Sequence, residues 1–439
     1  MPTVLFCSQS YVLAGGIPTW LDQLCERLPA LGWRPIVALA RGARFHDPAK
    51  YQRAHPSLDY VVMDGRSGTA EGRINAVMRA IRSTDCDVLV PLCVADAYEA
   101  IARSKRRGAG TRLLGAVHGA APRMLVDLAR YLQFCDGAVA VSRLTTHLLR
   151  EGVGLDPERI FHVPNGAVAP RRPRSPRAAD APLRLGYVGR LDPDKRVLDL
   201  VALCTELDRR GFTYELTVVG GGSDEEALRA RLSGHARSAT VRFLGTLGIE
   251  QIYDGVYPQL DCVLLFSEIE GLPLTLLEAM AHGVVPVVSR FHGYASEGLL
   301  RDGETALLFA VGDTAAAAAC IVACGRDVEL FDRLSSAGKF EVSMGYSLER
   351  SARGWADAMT VTLERTIVRG ESLPLHRVPA GRLDRWLPGS IAETGRRLLR
   401  RQFRHSDPDE WPYAGPVDAN AESRLSAIAN DFEQTQARV

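Results

Sequence analysis

Short apolar strands alternate with amphipathic helices along this chain, and the alternation constrains the fold more than any other feature. In the first part, apolar runs predict strands at 3–8, 34–40, 87–92, 112–117 and 137–141. Apolar residues at helical spacing follow Pro18 and again cover 143–151. Strands that alternate with helices in this way predict a parallel sheet covered by helices on both faces.

The same pattern begins again after a stretch rich in proline and arginine at 169–182. Strands are predicted at 183–188, 214–219, 241–244, 262–266 and 284–288, and helices at 195–210, 224–233, 274–282 and 313–336. The fold class is therefore α/β, with two Rossmann-like parallel-sheet domains that face a cleft. A ligand site is expected in that cleft, at the carboxyl ends of the strands.

These patterns divide the chain into five parts. An N-terminal domain covers 1–168, a linker covers 169–182 and a C-terminal domain covers 183–345. A helix at 346–368 is expected to pack back on the N-terminal domain. The remainder, 369–439, is a tail rich in proline and arginine, and it is too short for a third α/β domain.

Composition narrows the class of protein. The 439 residues carry a formal net charge of +1, so a nucleic acid is not the favoured partner. No apolar run approaches the roughly 20 residues of a membrane-spanning helix, and the start lacks a basic leader. The nine cysteines include no Cys-x-x-Cys pair and are expected to be small buried hydrophobes. Together these features predict a cytoplasmic protein.

The strongest chemical signal lies between the strand at 262–266 and the helix at 274–282. It reads Ser-Glu-Ile-Glu-Gly-Leu-Pro-Leu-Thr-Leu-Leu-Glu over 267–278. Side chains lean toward the start of a helix, so the carboxylates of Glu270 and Glu278 can face the same cleft. Free N–H groups at the helix start suit a phosphate, and carboxylates accept hydrogen bonds from sugar hydroxyls. The alternative is an exposed loop acid at Glu270 and a first-turn acid at Glu278.

A second signal follows the strand at 183–188 and reads Gly-Arg-Leu-Asp-Pro-Asp-Lys over 189–195. Arg190 and Lys195, at the carboxyl end of a strand, can clamp a diphosphate without a metal. Asp192 and Asp194 match a short metal-binding pattern, but the flanking cations would repel a metal. We therefore interpret the two acids as turn residues. The alternative for the whole segment is a solvated loop.

Two weaker signals lie in the first half. Gly15-Gly16 follows the first strand and is a candidate cradle for a phosphate or a sugar. His118 ends the strand at 112–117 and therefore faces the cleft. A lone histidine is more often structural, so His118 depends on its context.

In this order the motifs resemble the nucleotide-sugar glycosyltransferases of the GT-B fold, specifically the large retaining family 4. The resemblance covers about residues 1–365. It rests on the acidic block at 270–281, on Gly-Arg-Leu-x-x-x-Lys before it and on Gly-Val-Val-Pro-Val-Val at 283–288. The segment 293–297 reads Gly-Tyr-Ala-Ser-Glu where the family often has Gly-Gly-x-Pro-Glu, so the identity of the sugar stays open.

The resemblance implies roles for the matched residues. Arg190 and Lys195 would bind the donor diphosphate, and Glu278 would bind the ribose hydroxyls. Glu270 would hold the donor sugar, which His118 would approach from the N-terminal domain. The other donor-binding positions implied are Gly16, Gly189, Gly271, Leu272, Pro273, Leu274 and Thr275, with Phe243 and Leu244 near the base. Such enzymes need no metal, so no cofactor is expected.

The expected activity is retaining transfer of a hexose-type sugar from a nucleotide-diphosphate sugar to an acceptor hydroxyl. The setting would be bacterial polysaccharide, glycolipid or related glycan synthesis, and the acceptor would be a glycan or a lipid-linked molecule. Two alternatives stay open: a sugar-nucleotide 2-epimerase of the same fold, and a non-catalytic protein that binds nucleotide sugars.

The tail offers a further partner. Arginines crowd the stretch 382–404 together with apolar residues that include Trp386, Leu398 and Leu399. This composition suits an anionic membrane surface and would place the protein at the inner face of the membrane. The alternative is a solvated tail that packs on the body of the protein.

Overall fold

The computed structural model describes residues 1–11, 15–65, 67–178, 181–233, 241–374, 386–403, 410–416 and 418–436. They form two α/β domains, each built on a parallel sheet, as the alternation of strands and helices predicts. In each sheet the strand order reverses beside the first strand of the domain. Ligand sites in such sheets form at the carboxyl ends of the strands, at this reversal.

The N-terminal domain contains seven strands: β1 (Thr3–Ser8), β2 (Arg34–Arg41), β3 (Tyr60–Asp64), β4 (Val88–Leu92), β5 (Arg112–Val117), β6 (Gly137–Ala140) and β7 (Ile160–His162). Their order is β3-β2-β1-β4-β5-β6-β7. The helices are α1 (Gly16–Arg27), α2 (Pro48–Ala54), α3 (Ala70–Thr84), α4 (Asp96–Arg106), α5 (Val126–Arg130) and α6 (Arg143–His147). Strands β1 and β4 are buried along their whole length, which is why they appear as continuous apolar runs.

The C-terminal domain contains β8 (Leu183–Val188), β9 (Tyr214–Val219), β10 (Val241–Gly245), β11 (Cys262–Leu265), β12 (Val285–Ser289) and β13 (Leu307–Phe309). Their order is β10-β9-β8-β11-β12-β13. The helices are α7 (Asp199–Arg209), α8 (Glu225–Ser233), α9 (Ile249–Gln251), α10 (Leu274–Ala281), α11 (Thr314–Arg326) and α12 (Val328–Gly345).

The single helix predicted over 313–336 is wrong, because the structure has two helices there. The break is at Asp327, whose carboxylate accepts a hydrogen bond from the Leu330 amide at 2.9 Å. This bond caps the start of α12 and satisfies one of its free N–H groups. A continuous helical spacing of apolar residues hides such a break, because both helices bury a face against the same domain.

After α12 the chain returns to the N-terminal domain as α13 (Leu348–Glu364). Trp355 of α13 is fully buried, and its ring centroid lies 4.9 Å from that of Trp20 in α1. Thr360 of the same helix accepts a hydrogen bond from the Trp33 indole at 3.3 Å. The chain therefore joins the two domains twice.

The described parts of the tail also lie on the N-terminal domain. They include α14 (Gly389–Leu398) and α15 (Ala419–Gln436). Glu393 on the inner face of α14 accepts hydrogen bonds from the hydroxyls of Ser67 and Thr69. Leu425 of α15 is buried against Gly152 at the end of the segment that follows α6.

Helix α15 also reaches the C-terminal domain. The carboxylate of Glu433 accepts a hydrogen bond from the Gly293 amide and lies 2.7 Å from the ring nitrogen Nδ1 of His292. None of the described helices is long and apolar enough to cross a membrane.

We expect Trp355→Ala to destabilise the protein by about 3–5 kcal/mol, because the substitution leaves a large cavity between α13 and α1. Urea denaturation measures this loss. Arg353→Ala, at an exposed position of the same helix, is the matched control and should change the free energy of unfolding by about 0.5 kcal/mol or less. Equal effects of the two substitutions would contradict the assigned packing.

Candidate active site

Lys195 and Glu270 meet in the cleft. Lys195 closes a short turn after β8, and Glu270 lies in the loop after β11. Strands β8 and β11 are neighbours, so their loops lie side by side at the carboxyl edge. The Lys195 ammonium donates to a carboxylate oxygen of Glu270 at 2.6 Å, and the Ser267 hydroxyl donates to the same oxygen at 2.7 Å. The two predicted residues therefore form one half-buried ion pair.

Arg190 is held by its own loop. Its guanidinium donates to the carboxylates of Asp192 and Asp194, the second at 2.7 Å. Asp192 also accepts a hydrogen bond from the Ser223 amide at 2.9 Å, which fixes the turn. The guanidinium is 43% exposed, so an anion that enters the cleft can displace these carboxylates from it.

Helix α10 begins at the same place, and no side chain of the described residues caps it. Pro273 precedes the first turn and has no N–H group, so the amides of Leu274 and Thr275 are the first donors. The Thr275 hydroxyl donates to the Val188 carbonyl at 3.1 Å and ties the helix start to the end of β8. The positive end of the helix therefore points at the Lys195 side of the cleft, where it favours an anion.

Glu278 lies one turn further along α10 and is buried, with 5% of the residue exposed. The Tyr257 hydroxyl donates to its carboxylate at 2.7 Å. Burial raises the pKa of Glu278 to about 7, and the hydrogen bond from Tyr257 opposes the rise. The predicted ribose ligand is thus a carboxyl group that titrates near neutral pH.

The two walls of the cleft touch. A Cβ on Gly271 would lie 2.6 Å from the His118 carbonyl oxygen, so only glycine permits this approach. On the other side, a Cβ on Gly16 would lie 3.7 Å from the Leu274 side chain. The structure therefore brings four predicted residues of the two domains into contact pairs.

The His118 ring is packed against aromatic side chains. Its centroid lies 4.4 Å from that of Trp20 and 6.3 Å from that of Trp355. Burial lowers the pKa of His118 to about 4, so the ring is neutral at pH 7. Its Nε2 atom is buried and has no hydrogen-bond partner among the described residues.

The remaining predicted positions lie in the C-terminal domain. The side-chain amide of Asn165 donates a hydrogen bond to the Leu272 carbonyl at 2.8 Å, and this bond links the domains. The Gly189 amide donates to the Val219 carbonyl at 3.0 Å. Phe243 packs under the Arg229 guanidinium at 4.3 Å, while Leu244 is 45% exposed on the edge strand β10. An exposed apolar residue beside a strand end offers a surface for a base.

Sequence reasoning missed three residues that shape the site. Ser267 and Tyr257 bond the two acids, and Asn165 ties the linker region to the loop at 272. Asn165 stands in Val-Pro-Asn-Gly, which indicates only a turn, so its pairing across the domains left no local signal. Among the described residues no group of three or more His, Cys, Asp or Glu could hold a metal ion. Independence from metal stays a prediction.

Family models match both domains. Residues 14–169 match the model described as Glycosyltransferase Family 4, and residues 182–327 match the model described as Glycosyl transferases group 1. Together the two matches cover more than half of the chain.

Comparison with individual known proteins also finds glycosyltransferases. The chain is 28% identical over 271 residues to a glycogen synthase of Mycobacterium tuberculosis, a match that spans 60% of this chain and 63% of the relative. It is 31% identical over 209 residues to a phosphatidyl-myo-inositol mannosyltransferase of Mycobacterium leprae, covering 46% and 53% of the two chains. The crystal structure of Anabaena HepE in complex with UDP and glucose superposes with a TM-score of 0.67 at 18% identity, covering 82% of this chain and all of that one.

Two Rossmann-like domains that face a cleft form the GT-B architecture, which this chain shares with the solved glycosyltransferase structure. The chain belongs to the family 4 glycosyltransferases. The matched region spans less than two thirds of the length of the mycobacterial glycogen synthase.

We expect Glu278 to make stability depend on pH. Its pKa is higher in the folded chain than in the unfolded chain, so its contribution to stability is lost as pH rises from about 4.5 to about 7. The loss is on the order of 3 kcal/mol. Glu278→Gln, which cannot ionise, should remove this part of the pH dependence. Urea denaturation of both proteins from pH 4.5 to 8 measures it, and parallel curves would contradict the assignment.

Proposed function

We propose that the protein transfers a hexose from a nucleotide-diphosphate sugar to an acceptor hydroxyl, with retention of anomeric configuration. The observation that carries the proposal is the Lys195–Glu270 pair at the uncapped start of α10, directly opposite His118. A cation and free amides suit a diphosphate, and a carboxylate beside them suits a sugar. Transfer between two molecules also requires a cleft with two walls, which the domains supply.

In the proposed mechanism the diphosphate of the donor binds the Lys195 ammonium, which then no longer pairs with Glu270. The ammonium, the Arg190 guanidinium and the amides at the start of α10 then stabilise the negative charge that develops on the leaving group. Glu270, released from Lys195, accepts hydrogen bonds from the hydroxyls of the donor sugar. Contact between Gly271 and His118 closes the cleft and excludes water, which would otherwise compete with the acceptor.

The neutral ring of His118 fits a position beside the sugar. Its buried Nε2 has hydrogen-bonding capacity to spare, and a neutral imidazole can bond a hydroxyl without adding charge. Among the described residues that line the cleft, none stands out as a covalent nucleophile. We therefore propose attack on the face that the diphosphate leaves, with the leaving phosphate as the base. Because two cations offset the charge of the diphosphate, we propose that no metal is needed.

The comparisons support the substrate class. Anabaena HepE binds UDP and glucose, and the Staphylococcus aureus TarM structure contains UDP with alpha-GlcNAc-glycerol. Several relatives act, by name, in bacterial glycan synthesis. We propose a nucleotide-sugar donor and a glycan or lipid-linked acceptor for this protein, within the cytoplasm.

We expect Lys195→Ala to lower turnover by about 100-fold or more, as the loss of a charge that stabilises a transition state does. Nucleotide release is measured with UDP-glucose, UDP-N-acetylglucosamine and GDP-mannose as donors, in the presence of EDTA. Lys50→Ala, at an exposed position of the N-terminal domain, is the matched control. Full activity of Lys195→Ala would refute the assigned role.

Analysis of the products separates the alternatives. Proton NMR of the new glycosidic bond reports whether configuration is retained. An epimerised donor with no released nucleotide would favour the epimerase. Calorimetric binding of UDP by a wild-type protein that releases nothing from any donor would favour the non-catalytic binding protein.

We further propose that the exposed side of residues 386–403, which include α14, lies on an anionic membrane. The inner face is fixed by Glu393, while Trp386 is 86% exposed, Leu398 76% and Leu399 67%. Arg397, Arg400 and Arg401 are exposed in the same stretch, and residues 386–403 contain no exposed acid. Apolar side chains beside cations are complementary to anionic headgroups above acyl chains, and each cation near such a surface contributes about 1 kcal/mol.

We expect the double substitution Leu398→Ser and Leu399→Ser to reduce sedimentation with phosphatidylglycerol vesicles at least fivefold. The physical reason is the loss of two side chains that would enter the acyl region. Phe340→Ser with Met344→Ser, on an exposed face of α12 in the other domain, is the matched control. Equal sedimentation of the wild-type and α14 variants would rule out the membrane proposal.

A further inference from the structure

Residues 410–416, here called the crossing segment, run over the carboxyl ends of the N-terminal strands. This is the edge of the sheet that faces the cleft. The hydrogen bonds of the segment follow the strand order, from β2 through β1 and β4 to α5, which comes after β5. They join Glu410 to the amides of Ala43, Arg44 and Phe45, Gln9 to the Trp411 carbonyl, Ala95 to the Pro412 carbonyl and Gly415 to Asp127.

The crossing segment is firmly held. Trp411 is 1% exposed, and its indole donates to the Arg41 carbonyl at 3.0 Å. Burial would raise the pKa of Glu410, but the amides of Phe45, Ala43 and Arg44 outweigh it and lower that pKa. A buried aromatic anchor and a carboxylate bonded by backbone amides give the next residues a fixed position.

Tyr413 is the exposed aromatic residue of the crossing segment. It is 36% exposed, and the guanidinium of Arg123 lies 5.6 Å from its ring centroid. Burial raises the pKa of the Tyr413 phenol and Cys93 adds to the rise, while the positive charges of Arg123 and Arg190 oppose it. Arg190 follows β8, at the edge of the C-terminal sheet that faces the same cleft.

We propose that the crossing segment forms a wall of the acceptor site and that Tyr413 and Arg123 contact a carbohydrate acceptor. A tyrosine ring offers an apolar face and a polar tip, and a sugar likewise offers C–H faces and hydroxyls. Arg123 supplies further donors beside the ring. The inference rests on the proposed function, because the opposite wall, with Arg190, is where the donor diphosphate would bind.

The family models match residues 14–169 and 182–327, and the crossing segment lies outside both regions. The contact through Tyr413 would therefore be a property of this chain's own tail, whereas Arg123 lies within the region that matches the Family 4 model. It gives the enzyme a way to select its acceptor without change to the donor side of the cleft.

The test is binding of the full-length protein, with UDP present, to an array of immobilised bacterial glycans. We expect Tyr413→Ala and Arg123→Ala each to weaken binding to the glycans that the wild type recognises at least tenfold. Tyr413→Phe keeps the ring and should stay within about threefold of the wild type. Phe340→Ala removes an exposed aromatic ring from α12 and is the matched control.

Calorimetry with UDP separates this inference from the proposed function. Unchanged UDP affinity in Tyr413→Ala, with weakened glycan binding, supports the acceptor wall. Wild-type glycan binding by Tyr413→Ala, or no glycan binding by a wild-type protein that binds UDP, would overturn the acceptor wall and leave the proposed function standing. Failure of the wild type to bind UDP or any other nucleoside diphosphate would instead count against the proposed function.

Discussion

Parallel pairing of strands is the constraint on which the site depends. Because neighbouring strands point the same way, the loops that follow β5, β8 and β11 all leave their sheets at the carboxyl ends of the strands. Lys195 after β8 and Glu270 after β11 meet for this reason, although 75 positions separate them in the chain. His118 reaches the same cleft from the other sheet, and Gly271 lets the two edges touch. Three separate segments thus form one site without any local sequence signal that links them.

The N-terminal domain also depends on the part of the chain that returns to it after α12. Helix α13 places Trp355 beneath the His118 ring, so a residue of the last quarter of the sequence supports a side chain of the first domain. The tail continues this theme, since Glu393, Glu410 and Trp411 all bond loops of the N-terminal sheet. Residues that follow the C-terminal domain in the sequence therefore complete the N-terminal domain.

The sequence is sufficient to predict the elements with strong periodicity. Central strands such as β1 are buried throughout and produce unmistakable apolar runs. Edge strand β3 has only Met63 fully buried, so its pattern is weak and it was not predicted. Asp327 shows why the helix at 313–336 was mispredicted, since one capping bond interrupts an otherwise continuous spacing.

Within the site, the sequence predicts where residues lie along the chain but not which partners they contact. Glu278 lies where the motif predicts, yet burial and Tyr257 decide its charge, and neither can be inferred from spacing. Arg190 stands at the expected strand end, but Asp192 and Asp194 hold its guanidinium in the absence of a ligand. The contacts of Trp411 depend on chain folding over hundreds of positions, so proline and arginine content could not reveal them.

The crossing segment is synthesised long after the N-terminal domain that it contacts. A ribosome finishes the N-terminal domain about 240 residues before it reaches the crossing segment, a delay of roughly 10–50 s at ordinary elongation rates. During that interval the amides of 43–45 lack Glu410, and the hollow for Trp411 is open. The carboxyl edge of the nascent N-terminal sheet therefore lacks these contacts until residues 410–416 have been synthesised.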